Sequence, residues 1–510
     1  MKTLLLTPPF VQTNTPYPAT MHLVGFLRSH GVEVFQRDLS IKVVRDILIE
    51  YGDETTEELL ELLSGNAPAS AKIEASKVID ELALWIRDNV DGNFGFSRYA
   101  ERISASASSF GMVEKLILKR GVMDSFLEAR VREAIKETRP DIIGITCPFP
   151  GTLVAAFKIA AYVRKHYPRI RLYLGGGFVS TEFRDMTDTR PYEYFDGFLF
   201  DEGYAKLLEV INPSKAVDEK DVPLFIKPSY DGISWDEYFD VVETENPMHR
   251  LWSVGRWRKL VMARGCYWHK CAFCDVKLPY IKCFSMPGAK EIVDAMESLG
   301  REFHFVDEAM PPSLLGAVSK EILRRKFKCV WWGNVRFDES FTPHLAKLMA
   351  KAGCIAVTGG LECAVDRLLK LMNKGITKAS ALKALMAFSD AGIMVHAYLM
   401  YGFPTETEAE AKSALGFVRR LFKEDLVQSA FWHRFALTCH SPIASNPKQF
   451  GIVIAKEKRF RKRFCRNELA YHEEGAPDWE RIGRGLDLAL YNYHEGRGLS
   501  KPLSFFLIGI

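Results

Sequence analysis

The sequence predicts an α/β protein with two successive domains, each built on a parallel sheet. Short apolar segments alternate with helical segments over residues 1–210, and the same alternation returns over residues 259–445. Strands that alternate with helices are typical of parallel sheets. The first series predicts a doubly wound, Rossmann-like sheet. The six strand–helix units of the second series predict a partial (β/α)6 barrel.

The first domain is predicted to contain a helical insertion. Repeated apolar spacing over about residues 41–138 indicates helices, which glycine- and proline-containing segments interrupt. Residues 211–258 are rich in proline, aromatic and acidic residues and lack a clear period, so they are interpreted as a linker that packs on its neighbours. The predicted strands occupy residues 2–7, 32–36, 141–146, 171–175 and 195–200.

The second domain is followed by a C-terminal extension over residues 446–510. The extension contains a basic run at residues 456–466, which is interpreted as a solvated helix face. Its apolar end, residues 503–510, is too short to span a membrane and is interpreted as a packed strand or a partner contact. The predicted barrel strands occupy residues 259–263, 302–306, 329–332, 355–358, 393–400 and 431–437.

The bulk composition limits the classes of partner. The chain has 68 basic and 64 acidic residues among 510, a net charge of +4, so no global charge favours nucleic acid. No apolar run reaches the length of a membrane-spanning helix. Met1–Leu6 does not resemble a secretory signal, and ten cysteines without an oxidising context disfavour disulfides. We therefore expect a cytoplasmic protein that binds neither nucleic acid nor a membrane.

Three cysteines in one short segment are the most specific feature of the chain. Cys266, Cys271 and Cys274 have the spacing C-x4-C-x2-C. Three thiolates can bind three irons of a [4Fe–4S] cluster and leave the fourth iron open to a ligand. The alternative is structural zinc, with Cys266, His269 or Cys283 completing a site around the other two cysteines.

The position of the cysteine segment favours an enzyme. It follows a predicted strand that ends at Arg264 and Gly265, and α/β barrels carry their active sites at the carboxyl ends of strands. Strand, cysteine loop and Phe273 before the third cysteine resemble radical S-adenosylmethionine (SAM) enzymes, whose usual spacing, C-x3-C-x2-C, is one residue shorter. The resemblance implies that the three cysteines bind the cluster, that the open iron binds the amino and carboxylate groups of SAM, and that Phe273 lies near the adenine.

Polar residues and glycines recur at successive strand ends of the second domain, where SAM would be bound. Arg336 can bind a carboxylate with two hydrogen bonds. Glu362 can accept hydrogen bonds from the amine or the ribose, and residues 401–407 resemble the glycine–proline turn near adenine in radical SAM enzymes. The SAM candidates are Phe273, Asp307, Glu308, Asn334, Arg336, Gly359, Gly360, Glu362, Gly402 and Pro404.

The first domain contains, in this order, the segments Leu4–Pro9, Asp38–Ser40, Gly144–Gly151, Gly175–Gly177 and Asp201–Tyr204. Together they resemble the cobalamin-binding domain that precedes many radical SAM domains. Three adjacent glycines follow a strand there, but G-x-G-x-x-G is absent, so dinucleotide binding is disfavoured. D-x-H-x-x-G is also absent, so we expect no protein histidine on the cobalt; a sheet kept only for packing is the alternative. The resemblance implies cobalamin contacts at Pro8, Pro9, Asp38, Ser40, Thr146, Pro148, Gly151, Gly175, Gly176, Gly177, Phe178, Glu202, Gly203 and Tyr204.

Together the two resemblances imply a cobalamin-dependent radical SAM methyltransferase. Such an enzyme adds methyl to an unactivated carbon through a 5′-deoxyadenosyl radical and methylcobalamin. The alternatives are cyclisation, ring contraction or oxidation with the same cofactors, and a zinc-stabilised binding protein without turnover. The expected partners are a small-molecule or peptide substrate and an electron donor such as a flavodoxin or ferredoxin. No catalytic residue is assigned; the substrate-side candidates are His396, Tyr398, His433, Arg434, Cys439 and His440.

Overall fold

The computed structural model describes residues 1–455 and 462–508, which divide into two compact units. The first unit contains Met1–Glu245, Arg250–Arg256 and residues 462–466. The second contains Asn246–His249 and the rest of the described chain. Each unit has its own parallel sheet, so the predicted α/β class is confirmed.

The first unit is an open α/β sheet whose second crossover is enlarged by helices. Its elements in chain order are β1 (Thr3–Thr7), α1 (Ala19–Ser29), β2 (Val34–Asp38), α2 (Leu39–Tyr51), α3 (Thr56–Ser64), α4 (Ala69–Asn89), β3 (Phe94–Gly95), β4 (Arg98–Tyr99), α5 (Glu101–Ala105), α6 (Phe110–Leu118), α7 (Asp124–Thr138), β5 (Ile142–Thr146), α8 (Leu153–His166), β6 (Arg171–Gly175), α9 (Gly177–Glu182), β7 (Gly197–Phe198) and α10 (Tyr204–Ile211). Helix α11 (Pro247–Ser253) follows.

The five predicted strands of this unit all form, in the order β2-β1-β5-β6-β7 with parallel pairing. Leu4 and Leu6 of β1 pack in one hydrophobic cluster, and Leu5 packs in another. Successive side chains of a strand point to opposite faces, so both faces of the sheet are covered. That double burial explains the uninterrupted apolar sequence of β1.

Most of the segment between α2 and α7 is helical, as its spacing predicts. The exception is a small antiparallel hairpin of β3 and β4, which the helical interpretation did not include. Further along, residues 211–245 contain no strand, but Tyr238 and Phe239 are almost fully buried against the first sheet's hydrophobic cluster. Burial of these aromatic side chains ties this part of the predicted linker to the first unit.

The second unit contains a six-stranded parallel sheet, the predicted partial barrel. Its order is β13-β12-β11-β10-β9-β8, so strands adjacent in sequence are adjacent in space. The elements are β8 (Arg258–Leu260), α12 (Pro279–Lys282), α13 (Ala289–Leu299), β9 (Glu302–Phe305), α14 (Pro312–Arg324), β10 (Val330–Val335), α15 (Pro343–Lys351), β11 (Cys354–Glu362), α16 (Asp366–Leu371), α17 (Lys378–Asp390), β12 (Met394–Tyr401), α18 (Glu408–Lys423) and β13 (Ser429–Arg434).

The C-terminal part differs from its sequence interpretation. It contains α19 (Pro442–Ser445), a hairpin of β14 (Ile452–Ile454) and β15 (Tyr471–Glu473), α20 (Trp479–His494) and α21 (Ser504–Ile508). The apolar tail therefore includes a helix, where a strand was one expectation; residues 509 and 510 lie outside the described residues. Of the basic run, residues 456–461 also lie outside them. Residues 462–466 are not helical, and Phe464 is buried in the first unit's core, so this part of the run is not a solvated helix face. No helix in the described ranges has the length and apolar character to cross a bilayer.

Candidate active site

A cavity of about 220 Å³ lies at the carboxyl ends of the second unit's strands. The cysteine loop after β8 forms one part of its wall, and the ends of β9, β10, β11 and β12 form the others. Such a position is where an α/β barrel brings together side chains from several strands. The lining residues are Cys266, His269, Cys271, Phe273, Cys274, Val276, Ile281, Glu308, Ala309, Asn334, Val335, Arg336, Thr358, Gly359, Gly360, Glu362, Lys374 and Tyr398.

The cysteine loop begins closer to β8 than the sequence predicts. A side-chain carboxylate, and not the backbone of a neighbouring strand, accepts the hydrogen bonds of the amides that follow β8. Asp307 accepts hydrogen bonds from the amides of Met262 (3.0 Å) and Ala263 (2.7 Å), so β8 ends at Leu260 and not at the expected residue 263. Burial raises the pKa of Asp307 to about 7, against the lowering effect of these hydrogen bonds. Asp307, predicted to contact SAM, is outside the cavity lining and fixes the start of the loop.

A second loop, residues 372–375, holds the cysteine loop from the side. The amide of Ala272 donates to the carbonyl of Met372 (2.7 Å), and the Trp268 indole N–H donates to the carbonyl of Asn373 (2.8 Å). At Gly375, whose φ is +74°, an added Cβ would lie 2.1 Å from the Trp268 ring. The close approach of these loops therefore requires glycine at position 375.

Two buried cations lie beside the cysteine sulfurs. Arg336 is 4% exposed and lies 3.9 Å from the Cys271 sulfur through its Nη1, and Lys374 is 7% exposed. The pKa of the Cys271 thiol lies below its ordinary value, because Cys274 donates a hydrogen bond to it and because Lys374 and Arg336 are positively charged. Thiolates are the form that binds metal.

The Lys374 ammonium is paired with Glu362, at 2.6 Å. Burial lowers the pKa of Lys374, but the charges of Glu362 and Cys271 outweigh burial and hold it above its ordinary value. An added Cβ at Gly360 would lie 2.0 Å from the Glu362 Oε1 and 2.7 Å from the Lys374 Nζ. Gly360, predicted to open space for SAM, leaves space for this ion pair.

These residues fit a [4Fe–4S] cluster. Three cysteines line one wall, and the two cations beside Cys271 match the negative charge that three thiolates bring to a cluster. Within the described residues, no three His, Cys, Asp or Glu side chains converge on a single ion position. A cluster does not require that convergence, since each thiolate binds a different iron.

Most of the predicted SAM residues meet in the same cavity. Asn334 donates to the carbonyl of Asp307 (2.9 Å) and accepts a hydrogen bond from Thr358, which orients its amide between β9 and β11. Two of the predicted residues lie elsewhere: Gly402 and Pro404 belong to the turn in which Glu406 accepts from the Phe403 amide (3.1 Å). The predicted residues that line the cavity are Phe273, Glu308, Asn334, Arg336, Gly359, Gly360 and Glu362.

The substrate-side candidates separate into different environments. Tyr398 lines the cavity, and its ring centre is 4.8 Å from that of His396. His396 is buried with a ring nitrogen 2.6 Å from the Ser429 hydroxyl, and burial lowers its pKa to about 3. Cys439 lies away from the cavity, with its sulfur 3.8 Å from Asn467. His396 is therefore a neutral packing residue, whereas Tyr398 is the substrate-side candidate that lines the cavity.

In the first unit, strand ends of the sheet form a polar edge. The register pairs Thr7 with Asp38 and Thr146 with Gly175 at the carboxyl ends of β1, β2, β5 and β6. Asp38 caps α2 by accepting from the Ser40 amide (2.9 Å) and also accepts from the Tyr238 hydroxyl (2.7 Å). Burial raises the pKa of Asp38 to about 6.

Several predicted cobalamin residues serve internal packing. The Ser40 hydroxyl accepts from the Val11 amide (2.8 Å). An added Cβ at Gly176, whose φ is +111°, would lie 2.6 Å from the carbonyl of Cys147, and one at Gly151 would lie 2.8 Å from Arg98. Pro8, Pro9, Pro148 and Phe178 are buried. These contacts account for the presence of these residues at the sheet edge whether or not a ligand binds there.

Other residues at this edge adjoin open space or carry hydroxyl groups that make no hydrogen bond with the residues that the structure describes. An added Cβ at Gly203 would meet nothing within 4 Å. In the described part of the chain, the buried hydroxyls of Thr7 and Thr146 have no hydrogen-bond partner. A buried hydroxyl without a partner is costly, so these two strand ends fit a polar ligand. The further predicted contacts Gly177, Glu202 and Tyr204 follow the neighbouring strands β6 and β7.

Sequence reasoning missed three polar residues of the cavity. Lys374 lies in a loop that no strand end marks, and Thr358 lies within β11. His269 was considered only as a zinc ligand; its Nδ1 lies 2.9 Å from the carbonyl of Cys266. The sequence offers one signal for Lys374, a lysine flanked by Asn373 and Gly375 in a tight turn, but that pattern is common in solvated loops.

An α/β partial barrel with three cysteines at its carboxyl end defines a class of cluster-binding enzyme. Comparison with known sequences agrees: residues 260–418 match the profile of the radical SAM superfamily. The second unit therefore carries a radical SAM domain, as the cysteine loop predicted.

Longer stretches of the chain resemble two curated relatives. An uncharacterized methyltransferase of Pyrococcus horikoshii is 23% identical over 338 residues, which cover 59% of this chain and 69% of the relative. The anaerobic magnesium-protoporphyrin IX monomethyl ester cyclase of Rubrivivax gelatinosus is 25% identical over 309 residues, covering 55% of this chain and 54% of the relative. The chain thus spans about half of the cyclase.

The fold of the whole chain resembles a solved structure. The radical SAM methyltransferase TsrM of Kitasatospora setae, with tryptophan and a SAM analogue bound, has a TM-score of 0.56 at 17% identity. The alignment covers 99% of this chain and 89% of TsrM. At this identity the likeness establishes a shared fold across both units.

Replacing Gly375 tests how the two loops fix the cysteines. We expect Gly375→Ala to bind less than half the iron and sulfide of the unchanged protein after anaerobic reconstitution, because the new Cβ displaces Trp268. Gly392→Ala is the matched control: its φ is also +74°, but its Cβ would meet nothing within 4 Å. Equal iron contents in the two variants would contradict the role of the Trp268–Gly375 contact.

Proposed function

We propose that this chain is a cobalamin-dependent radical SAM methyltransferase that adds a methyl group to an unactivated carbon of a small-molecule or peptide substrate. The observation that carries the proposal is the meeting of Cys266, Cys271 and Cys274 with Arg336 and Lys374 in one cavity. When bound, the cluster supplies the electron that cleaves SAM, and the cobalamin supplies the methyl group.

Different residues of the cavity would bind the cluster and orient SAM. The three cysteines hold three irons, and the buried Arg336 and Lys374 offset the negative charge of the thiolates. Glu308 and Asn334 lie at the ends of β9 and β10, where they can accept from and donate to the amino and carboxylate groups of SAM. The amino and carboxylate groups of SAM would therefore each have a complementary side chain in the cavity.

The first unit would bind the cobalamin at the carboxyl edge of its sheet. The open space at Gly203 and the unpaired hydroxyls of Thr7 and Thr146 support this site. Ligands of open α/β sheets bind at this edge. A structure of TsrM contains cobalamin and a [4Fe–4S] cluster, which supports the assignment by fold likeness. We also propose that no histidine binds the cobalt. His30 and His166 lie at the carboxyl ends of α1 and α8, away from the carboxyl edge of the sheet, and the His22 side chain is buried in the first turn of α1.

A second candidate keeps the cofactors but not the methylation. The cyclase of Rubrivivax gelatinosus is similar over 55% of this chain, and its name describes a ring closure. The same cavity would serve a substrate radical that cyclises or is oxidised instead of receiving a methyl group. The methyltransferase relative covers a slightly larger share of the chain, so methylation remains the first proposal.

An anaerobic assay with methyl-labelled SAM tests the function. With dithionite and added cobalamin, we expect about four irons per chain, 5′-deoxyadenosine, and transfer of the labelled methyl group to the cobalamin. Cys271→Ala should lose 5′-deoxyadenosine formation, whereas Cys329→Ala, which changes a cysteine outside the cavity, should keep it. Zinc near one per chain without iron and sulfide would instead favour the binding protein, and 5′-deoxyadenosine without methyl transfer would favour the cyclase-like reaction.

Thr146 tests the cobalamin site separately. Thr146→Val preserves the shape of the side chain and removes a hydroxyl that the protein does not use. We expect its dissociation constant for hydroxocobalamin, measured by equilibrium dialysis, to rise roughly two- to tenfold, the effect of one lost hydrogen bond. Thr3→Val is the control, since Thr3 also has a buried unpaired hydroxyl but lies at the amino end of β1. Equal affinities of the two variants would argue against cobalamin at the carboxyl edge.

A further inference from the structure

A second pocket lies on the other side of the cysteine loop. His269, Cys271, Phe273 and Cys274 line the cavity described above, whereas the intervening residues Lys270 and Ala272 line this second pocket. One short segment thus faces two spaces, and the second reaches the residue next to a cluster-binding cysteine. Its other lining residues are Arg367, Lys370, Leu371, Asn373, Pro442, Gln449 and Phe450.

The second pocket has an apolar floor and a basic rim. Ala272 and Phe450 are each 5% exposed and belong to one hydrophobic cluster of the second unit, with Leu371 packed against it. Lys270 and Lys370 are exposed. None of the residues that line the pocket is acidic. The rim therefore attracts a negatively charged surface, while the floor accepts an apolar group at its centre.

The rim cations differ in whether the protein already neutralises them. Arg367 binds the Glu410 carboxylate through two hydrogen bonds of 2.7 Å each. Lys270 lies over the Trp268 ring at 5.1 Å, and within the described ranges neither Lys270 nor Lys370 has a carboxylate within 4 Å. Two lysine charges at this pocket are thus available to a partner.

We propose that this second pocket is the docking surface for a flavodoxin that serves as the electron donor to the cluster. The inference rests on the proposed function, because only a cluster that is reduced needs a donor. The cavity side of the loop carries the SAM candidates, so the electron must reach the cysteines from another side. In the transfer, the reduced flavin loses one electron and the cluster gains one, with no group transferred. A donor protein that presents a planar, apolar flavin edge among acidic side chains would match this floor in polarity and this rim in charge.

Charge reversal at the two free lysines tests the docking surface. The anaerobically reconstituted protein is titrated with oxidised flavodoxin, and binding is measured without turnover. We expect Lys270→Glu/Lys370→Glu to raise the dissociation constant at least about tenfold at low salt and to flatten its salt dependence. The control Lys347→Glu/Lys351→Glu makes the same charge change on α15 and should leave binding unchanged.

Turnover with two reductants separates this inference from the proposed function. In the Lys270→Glu/Lys370→Glu variant, 5′-deoxyadenosine formation should fall with reduced flavodoxin and stay unchanged with dithionite, at unchanged iron content. Flavodoxin binding equal in both double variants, no flavodoxin binding by the unchanged protein, or binding of a ferredoxin in place of a flavodoxin would overturn the docking proposal alone. Failure of dithionite to support SAM cleavage by the unchanged protein would overturn the proposed function and this inference with it.

Discussion

The buried positive charge beside Cys271 is the constraint on which the site depends. Arg336 and Lys374 are almost inaccessible to water, and one carboxylate, Glu362, lies in direct contact with Lys374. Burying two cations is costly unless nearby negative charge compensates for them. Glu362 beside Lys374 and the Asp338 carboxylate, 3.8 Å from the Arg336 Nε, supply part of that charge. Three thiolates on the adjacent loop would supply more. The buried cations and the cysteine thiolates therefore stabilise each other's charges.

Backbone contacts give this arrangement its precision. Asp307 ends β8 by binding the two amides that precede the cysteine loop. The 372–375 loop then holds Ala272 and Trp268 through its carbonyls and carries Lys374 into the cavity. The same short loop supplies the carbonyls that hold the cysteine loop and the Lys374 ammonium. A movement of the 372–375 loop would therefore displace the cysteines and the cation together. A site built in this way is fixed by neighbouring elements rather than by the cysteine loop itself.

The sequence predicts the scaffold better than it predicts the contacts. Strand–helix alternation and the cysteine spacing were sufficient for both sheets and for the cavity at the strand ends. Lys374 escaped prediction because a charge in a loop looks the same whether it is solvated or buried, and its burial depends on packing between distant segments. Gly360 and Asp307 were predicted to contact SAM. Gly360 lines the cavity and also leaves room for the Glu362–Lys374 ion pair, and Asp307 binds backbone amides. The position of a residue at a strand end predicts that it lies near the active-site cavity. It does not predict which atoms the side chain will contact there.

We propose that the cysteine loop holds a cluster with one iron open to SAM inside this cavity. Low-temperature electron paramagnetic resonance of the dithionite-reduced protein, recorded with and without SAM, is the decisive experiment. We expect a [4Fe–4S]⁺ signal whose g-values shift when SAM is added, since a ligand then binds the fourth iron. A cluster signal that SAM leaves unchanged, or no cluster signal at all, would contradict it.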